Sequence, residues 1–264
     1  MTPRMRTLVG LTHFFSVFDG HGGKRAAAWA HAHLLPNLLR ALGSKEEGKE
    51  RHLVLSNGKT APPPDLDRAC VSAFLSTDRE FLQQAMQRSI PDGSTAVCCM
   101  LQHGAVGSRR LLVANLGDSR AALIRADGSA LALSDDHKPN RPDEQARVEA
   151  TGGHVLYAGC WRVQGDLAVS RAFGDCHLKR FGVSAEPELT AFSVGATDRY
   201  IVLATDGLWD VVDEEQCAEV VLRAADPLHA SRALCDLATA RGSMDNITAL
   251  VVDLEPAAVA GGIA

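Results

Sequence analysis

Asp19, Asp118, Asp206 and Asp245 each stand at one end of an apolar run, beside glycine or asparagine, in FFSVFDGHGG, LLVANLGDSR, YIVLATDGLWD and MDNITALVV. Strand ends gather on one rim of a layered β fold, so carboxylates far apart in the chain can converge there. Several carboxylates within a few ångströms repel one another and force some to hold protons. Bound divalent cations remove that penalty. A ligand set made only of oxygen points to hard ions such as Mg²⁺ or Mn²⁺, which keep most of their waters. Two such ions can share and acidify a water and clamp both oxygens of an in-line phosphoryl displacement. Glycine beside the aspartates lets the backbone approach the ions, and the Gly20 carbonyl can itself serve as a ligand. His21, two residues after Asp19 in a glycine-flanked loop, has an unperturbed pKa of about 6.5 and can give a proton to a poor alkoxide leaving group.

A lone Asp-Gly is ordinarily a turn. Asp127-Gly128 reads as such a hairpin turn, and Asp92-Gly93 as a turn leading into Ser94-Thr95. The recurrence of one strand-end setting at four positions is what favours a site over four turns.

The elements that must position these residues follow from periodicity. Phe14–Phe18 reads as a strand, 24–42 as a helix stopped by Gly43, and 43–64 as a polar surface excursion. A second helix runs from Asp65 to about Arg88. Strands follow at 95–102, 110–115 and 120–125, with turns at 103–109 and Asp127-Gly128. Arg141-Pro142 opens a short helix closed by Gly152-Gly153. Residues 200–204 form an apolar strand, helices occupy 213–224 and 227–241, and 247–254 is the last strand. Asp226 caps the second of those helices, with Pro227 at its first position. Residues 255–264 read as a disordered tail. Hairpin connections imply antiparallel sheets, and two packed sheets with helices on their outer faces would bury these runs. Residues 1–254 therefore form one domain.

Composition excludes several classes. The chain of 264 residues carries a formal charge of −5 and a pI of about 6.0, which gives no basis for nucleic acid or an anionic membrane as partner. The seven cysteines are odd in number, scattered and without a C-x-x-C pair, which suits a reducing compartment. The apolar N-terminal stretch is broken by Thr12, His13 and Ser16 and does not read as a secretory signal. No apolar run is long enough for a membrane helix. Cys235 and Arg241 have the bare C-x5-R spacing of a cysteine phosphatase, but the segment reads as an amphipathic helix, whose N–H groups are not free to cradle phosphate. Trp29 and Trp209 read as core residues, and Trp161 as a candidate surface aromatic.

The strings FFSVFDGHGG, DGSTAV, LLVANLGDSRAAL, DHKPNRPDEQARVEATGG, RVQGDLAVSRAFGD, VSAEPEL, YIVLATDGLWDVV and GSMDNITALVV occur in this order. Together they resemble the PP2C-type (PPM) metal-dependent protein serine/threonine phosphatases. The resemblance implies an α+β fold, a four-layer αββα sandwich of two antiparallel sheets flanked by helix pairs. It implies that Asp19 bridges two Mg²⁺ or Mn²⁺ ions, that the Gly20 carbonyl binds one of them, and that Asp206 and Asp245 complete the first ion's site. Asp118, with Asp206, matches a third, weaker position. His21 matches the general acid, and Thr95 and Asn246 match motif residues near the substrate. Residues 174–186 fall where the family carries its variable flap. The family also opens with a phosphate-gripping Arg and a metal-binding Glu, whereas the 18 residues before Asp19 contain no Asp or Glu. The expectation is therefore an incomplete N-terminus lacking one or two strands, with the second ion weakly held. With no targeting or membrane signal read, the expectation is a cytoplasmic and/or nuclear protein, monomeric, acting on phosphoprotein substrates. Two alternatives are an impaired pseudophosphatase that binds phosphoproteins, and a hydrolase of small phosphates.

Overall fold

A computed structural model describes residues 11–43, 66–103 and 108–254. The surface excursion, most of the 103–109 turn and the tail fall largely or wholly outside these residues. In chain order the elements are β1 (Leu11–Val17), β2 (Gly20–His21), α1 (Arg25–Gly43), α2 (Leu66–Arg88), β3 (Gly93–Ser94), β4 (Ala96–His103), β5 (Arg109–Leu116), β6 (Arg120–Arg125), β7 (Ala130–Ala132), α3 (Pro142–Ala150), β8 (Val155–Ala158), β9 (Cys160–Val163), β10 (Phe173–Gly174), β11 (Glu188–Val194), β12 (Asp198–Ala204), α4 (Asp206–Trp209), α5 (Glu214–Arg223), α6 (Pro227–Ala240) and β13 (Ala249–Asp253).

Two four-stranded sheets dominate, ordered β1-β4-β5-β11 and β13-β12-β6-β7, with every neighbour antiparallel. The central strands β4, β5, β6 and β12 read as near-continuous apolar runs because both faces are buried. In β4, Val97 and Cys99 face the other sheet, packing with Val113, Leu123, Ile201 and Leu203, while Ala96, Cys98 and Met100 face helices α1 and α2. On the far side, Ala122, Ile124, Val202 and Ala204 pack on α5 and α6 through Ala218, Val221 and Leu234. This is the expected αββα arrangement.

The helices follow their own chemistry. Ala26, Ala30, Leu34, Leu38 and Leu42 recur every fourth residue along the buried stripe of α1. Within the α1–α2 interface, buried Asn37 donates to Thr77 Oγ1 (2.9 Å) and Glu80 Oε2 (3.1 Å), which satisfies its amide. Asp226 caps α6 as expected, accepting from the His229 N–H at 2.8 Å, and Asp213 forms a reciprocal capping box with Gln216 on α5. Cys235 lies inside α6, so its segment is helical, as its pattern indicates.

Register explains why one rim becomes a site. Val17 at the end of β1 pairs with Val97 near the start of β4, and Ala96 pairs with Leu116 at the end of β5. In the other sheet Ala204, ending β12, lies between Arg120, starting β6, and Ala249, starting β13. The chain passes from one sheet to the other through the short link between Leu116 and Arg120. Asp19, Asp118, Asp206 and Asp245 all follow or precede these paired ends.

Candidate active site

A cavity of about 440 Å³ opens on this rim. Asp19, Gly20, His21, Thr95, Asp118, Asp206 and Asp245 all line it, so seven of the eight residues singled out in the sequence converge. The eighth, Asn246, is not among the lining residues. Its backbone carbonyl accepts from Thr205 Oγ1 at 3.1 Å, which holds the loop that carries Asp245.

Each carboxylate is held differently. The Asp19 carbonyl accepts the Thr95 N–H at 2.8 Å, and Thr95 Oγ1 bonds to Ser119 Oγ at 2.7 Å, tying the end of β1 to the start of β4 and to the β5–β6 link. Asp118 is buried and paired with Lys138 Nζ at 2.5 Å. Gly117 beside it has φ +103, and a side chain there would press on Thr95. Asp206 opens the single turn α4 directly after β12. Asp245 is exposed, and its Oδ1 accepts the N–H of Asn246 at 2.7 Å.

The electrostatics are those of crowded like charges. Burial, then Asp118, Asp19 and Asp210, push the Asp206 carboxyl up to about 7. Burial, Asp245 and Asp118 also raise Asp19, and Asp206 and His21 oppose that rise. Asp206 Oδ1 is buried with no hydrogen-bond partner. An orphaned acceptor of this kind is costly unless something positive meets it. The donor set is entirely oxygen. No three His, Cys, Asp or Glu side chains among the described residues already close on a single point. The carboxylates ring the cavity instead, an arrangement suited to ions that retain much of their water. On these grounds the residues fit hard divalent cations.

Several neighbours of the site carry no local signal in the sequence. Asp175 is buried, and its Oδ2 lies 2.7 Å from His21 Nε2. Burial disfavours the His21 imidazolium, but the Asp175 bond and charge outweigh it, and Asp118 and Asp19 add to the rise above the usual histidine range. Lys138, Arg162, Asp166 and His177 also belong to this region. Asp92-Gly93 is not a free turn. Gly93-Ser94 is the short strand β3 between β2 and β10, and the fully buried Asp92 carboxylate pairs with Arg25 at 2.5 Å. A buried carboxylate needs a partner, and Arg25 stands too far away in the chain for the pair to be read as local. The segment 174–186 is packed in place rather than loose, with Leu178, Val183 and Ala185 buried.

His137 clasps the β5–β6 link from below. It is fully buried, its Nδ1 accepts the Gly117 N–H at 3.0 Å, and its backbone N–H donates to the Gly117 carbonyl at 2.9 Å. Burial, then Arg171 and Arg141, hold its pKa down at about 4, although Glu144 and Glu188 oppose this. The unfolded chain therefore takes up this proton first as pH falls. Stability contributed by neutral His137 is complete above about 6.5 and is lost as pH drops through about 4. A melting-temperature series from pH 7 to 4 is expected to fall in that window, and the fall should be shallower in His137→Gln.

The comparisons with known proteins agree with this fold. A family model described as protein phosphatase 2C matches residues 7–247. Probable protein phosphatase 2C 59 of Arabidopsis thaliana is 44% identical over 93% of this chain and 70% of its own length. Probable protein phosphatase 2C 52 of Oryza sativa subsp. japonica is 43% identical over 91% of this chain, which spans 44% of that relative. Two further Arabidopsis relatives are spanned over 51% and 48% of their lengths, so the chain matches about half of several curated relatives. Among solved structures, a serine-threonine phosphatase 2C from Toxoplasma gondii superposes with a TM-score of 0.75 at 30% identity, covering 91% of this chain and 84% of that one. A C. elegans sex determining protein superposes with a TM-score of 0.78 at 28% identity, covering 92% and 56%. Matched over nearly its whole length by the family model, this chain belongs to the protein phosphatase 2C family, a family of metal-dependent protein serine/threonine phosphatases.

Proposed function

We propose that this chain hydrolyses phosphoserine and phosphothreonine in protein substrates at the rim cavity. The observation that carries the reading is the buried, partnerless Oδ1 of Asp206 beside Asp19 and Asp118. Asp19, the Gly20 carbonyl, Asp206 and Asp245 are the groups that would hold Mg²⁺ or Mn²⁺, with Asp118 available to a weaker ion. When bound, such ions would neutralise the carboxylates and lower the pKa of the water that attacks phosphorus.

The chain's own residues supply the rest. His21 faces the cavity and stands ready to protonate the departing serine or threonine oxygen. Arg162, on β9, lines the same cavity, and its guanidinium already donates to the Asp166 carbonyl at 2.6 Å. Its remaining donors suit a phosphate oxygen. Thr95 acts through the Asp19 backbone it holds. Lys138 pairs with Asp118 and offsets its charge within the cluster.

The test is phosphate release from a phosphoserine or phosphothreonine peptide with Mn²⁺ or Mg²⁺. Turnover that needs the added ion and stops with chelator is expected. Absence of release from a folded, metal-supplied chain would remove the reading.

A further inference from the structure

His21 ends the two-residue strand β2 and is flanked by glycines at 20, 22 and 23, so its backbone has little stiffness of its own. Its ring is nonetheless held, because a buried carboxylate meets it from β10's end. Resting on the phosphatase reading above, we propose that Asp175 is the positioning residue for the general acid: it holds His21 in one tautomer and one orientation. We further propose that position 93 must carry no side chain for the two to meet.

The carboxylate is set in place by elements remote from the loop. Asp175 has φ 46, a left-handed conformation that aspartate tolerates. Its N–H donates to the Asp92 carbonyl at 3.1 Å, and its carbonyl accepts from Leu178 at 2.8 Å. The preceding Gly174 N–H donates to Asp78 Oδ1 of α2 at 2.8 Å, and Asp78 Oδ2 pairs with Lys179 at 3.0 Å. Asp92 in turn is anchored by Arg25 at the start of α1. Both helices of one outer layer thus converge on the carboxylate that meets the histidine. Gly93 lies across that contact: a Cβ there would collide with both Asp175 Oδ2 and His21 Nε2.

The chemistry follows from what each group can do. An ionised carboxylate only accepts, so Nε2 must carry the hydrogen directed at Asp175. Nδ1 is left to serve the substrate. As the oxygen of water bonds to phosphorus and gives up one proton to solvent, the phosphorus–ester oxygen bond breaks and its electron pair goes to the ester oxygen. The Nδ1 proton passes to the departing oxygen, and the ring keeps the electron pair of the N–H bond. An aryl phosphate whose leaving phenolate needs no proton gains little from this step.

The experiment compares a phosphoserine peptide with p-nitrophenyl phosphate, with Mn²⁺ present, for wild type, Asp175→Asn, Gly93→Ala and His21→Ala. Asp175→Asn keeps a residue that tolerates the left-handed backbone. Its peptide turnover is expected to fall about 10²-fold, at least about tenfold further than its aryl phosphate turnover. Gly93→Ala should show the same bias. In the His21→Ala background Asp175→Asn should add almost nothing, because both act through one proton transfer. Equal losses on both substrates, or fully additive losses, overturn the proposal. Nitrogen-15 shifts of His21 in the metal-free protein at alkaline pH provide an arm that needs no turnover and no variant. Hydrogen on Nε2 supports the assignment, and hydrogen on Nδ1 overturns it. Wild type that turns over neither substrate counts against the phosphatase reading alone, and the tautomer still decides this one.

Discussion

Asp206→Asn is expected to lower metal-dependent phosphate release by about 10³-fold or more, the size of an effect worth several kcal/mol of transition-state stabilisation. The same substitution should raise the melting temperature of the metal-free protein. In that state Asp206 is crowded by Asp118, Asp19 and Asp210, and its buried Oδ1 has no partner. Replacing one charge by an amide removes repulsion and supplies an N–H donor. For a domain of this size each kcal/mol so relieved appears as about 2–4 °C. Adding Mn²⁺ should stabilise wild type by mass action and stabilise the variant much less. Stability gained together with activity lost is the signature of a site whose charges are kept for function. A variant that loses activity and also melts earlier without metal would show Asp206 to be a structural residue. Calorimetry with and without the ion reads all of these outcomes.

Glu144→Gln is expected to cost about 3–5 kcal/mol of folding stability, because it breaks a buried charge cluster by removing one partner. Glu144 on α3 is almost fully buried and lies under three arginines. Arg171 Nη2 reaches Oε1 at 2.7 Å, Arg147 Nη2 reaches Oε2 at 2.5 Å, and Arg141 stands at 3.8 Å. The Ser170 hydroxyl completes the set. Burial alone would raise the carboxyl, but Arg171, Arg147 and Ser170 outweigh it and hold the pKa at about 2. A carboxylate lowered on folding contributes stability that is complete above its unfolded value of 4.5 and is lost as pH falls through about 2. Wild type should therefore lose stability between those pH values, and Glu144→Gln should already have lost it at neutral pH. The expected drop in melting temperature is about 10 °C. A drop below about 2 °C would mean that the arginines find other partners without strain.

Much of this was legible in the residues. A strand that ends in Asp-Gly is a local pattern, and antiparallel pairing then forces its neighbours' opposite ends onto the same rim. That is why Asp19, Asp118, Asp206 and Asp245 could be named from sequence. Asp226-Pro227 likewise marks a helix start by chemistry confined to one turn. The parts that could not be read depend on distant partners. Asp175 gains its role only because β2, β3 and β10 meet, and two-residue strands have no period to detect. Asp92, His137 and Glu144 sit in polar surroundings in the sequence, so nothing there separates a buried charge from a solvated one. Only their partners, Arg25, Gly117 and the three arginines, make the distinction.

The four carboxylates hang from strands of both sheets, and the short Leu116–Arg120 link is the crossing between the sheets that lies on the rim. Asp19 follows β1 of one sheet, while Asp206 and Asp245 adjoin β12 and β13 of the other, so an ion held among them would draw on both layers. Ion capture therefore reports on the mating of the two layers, and an ion once captured resists their separation. Protection from proteases should rise over both halves of the molecule together, including places far from the rim.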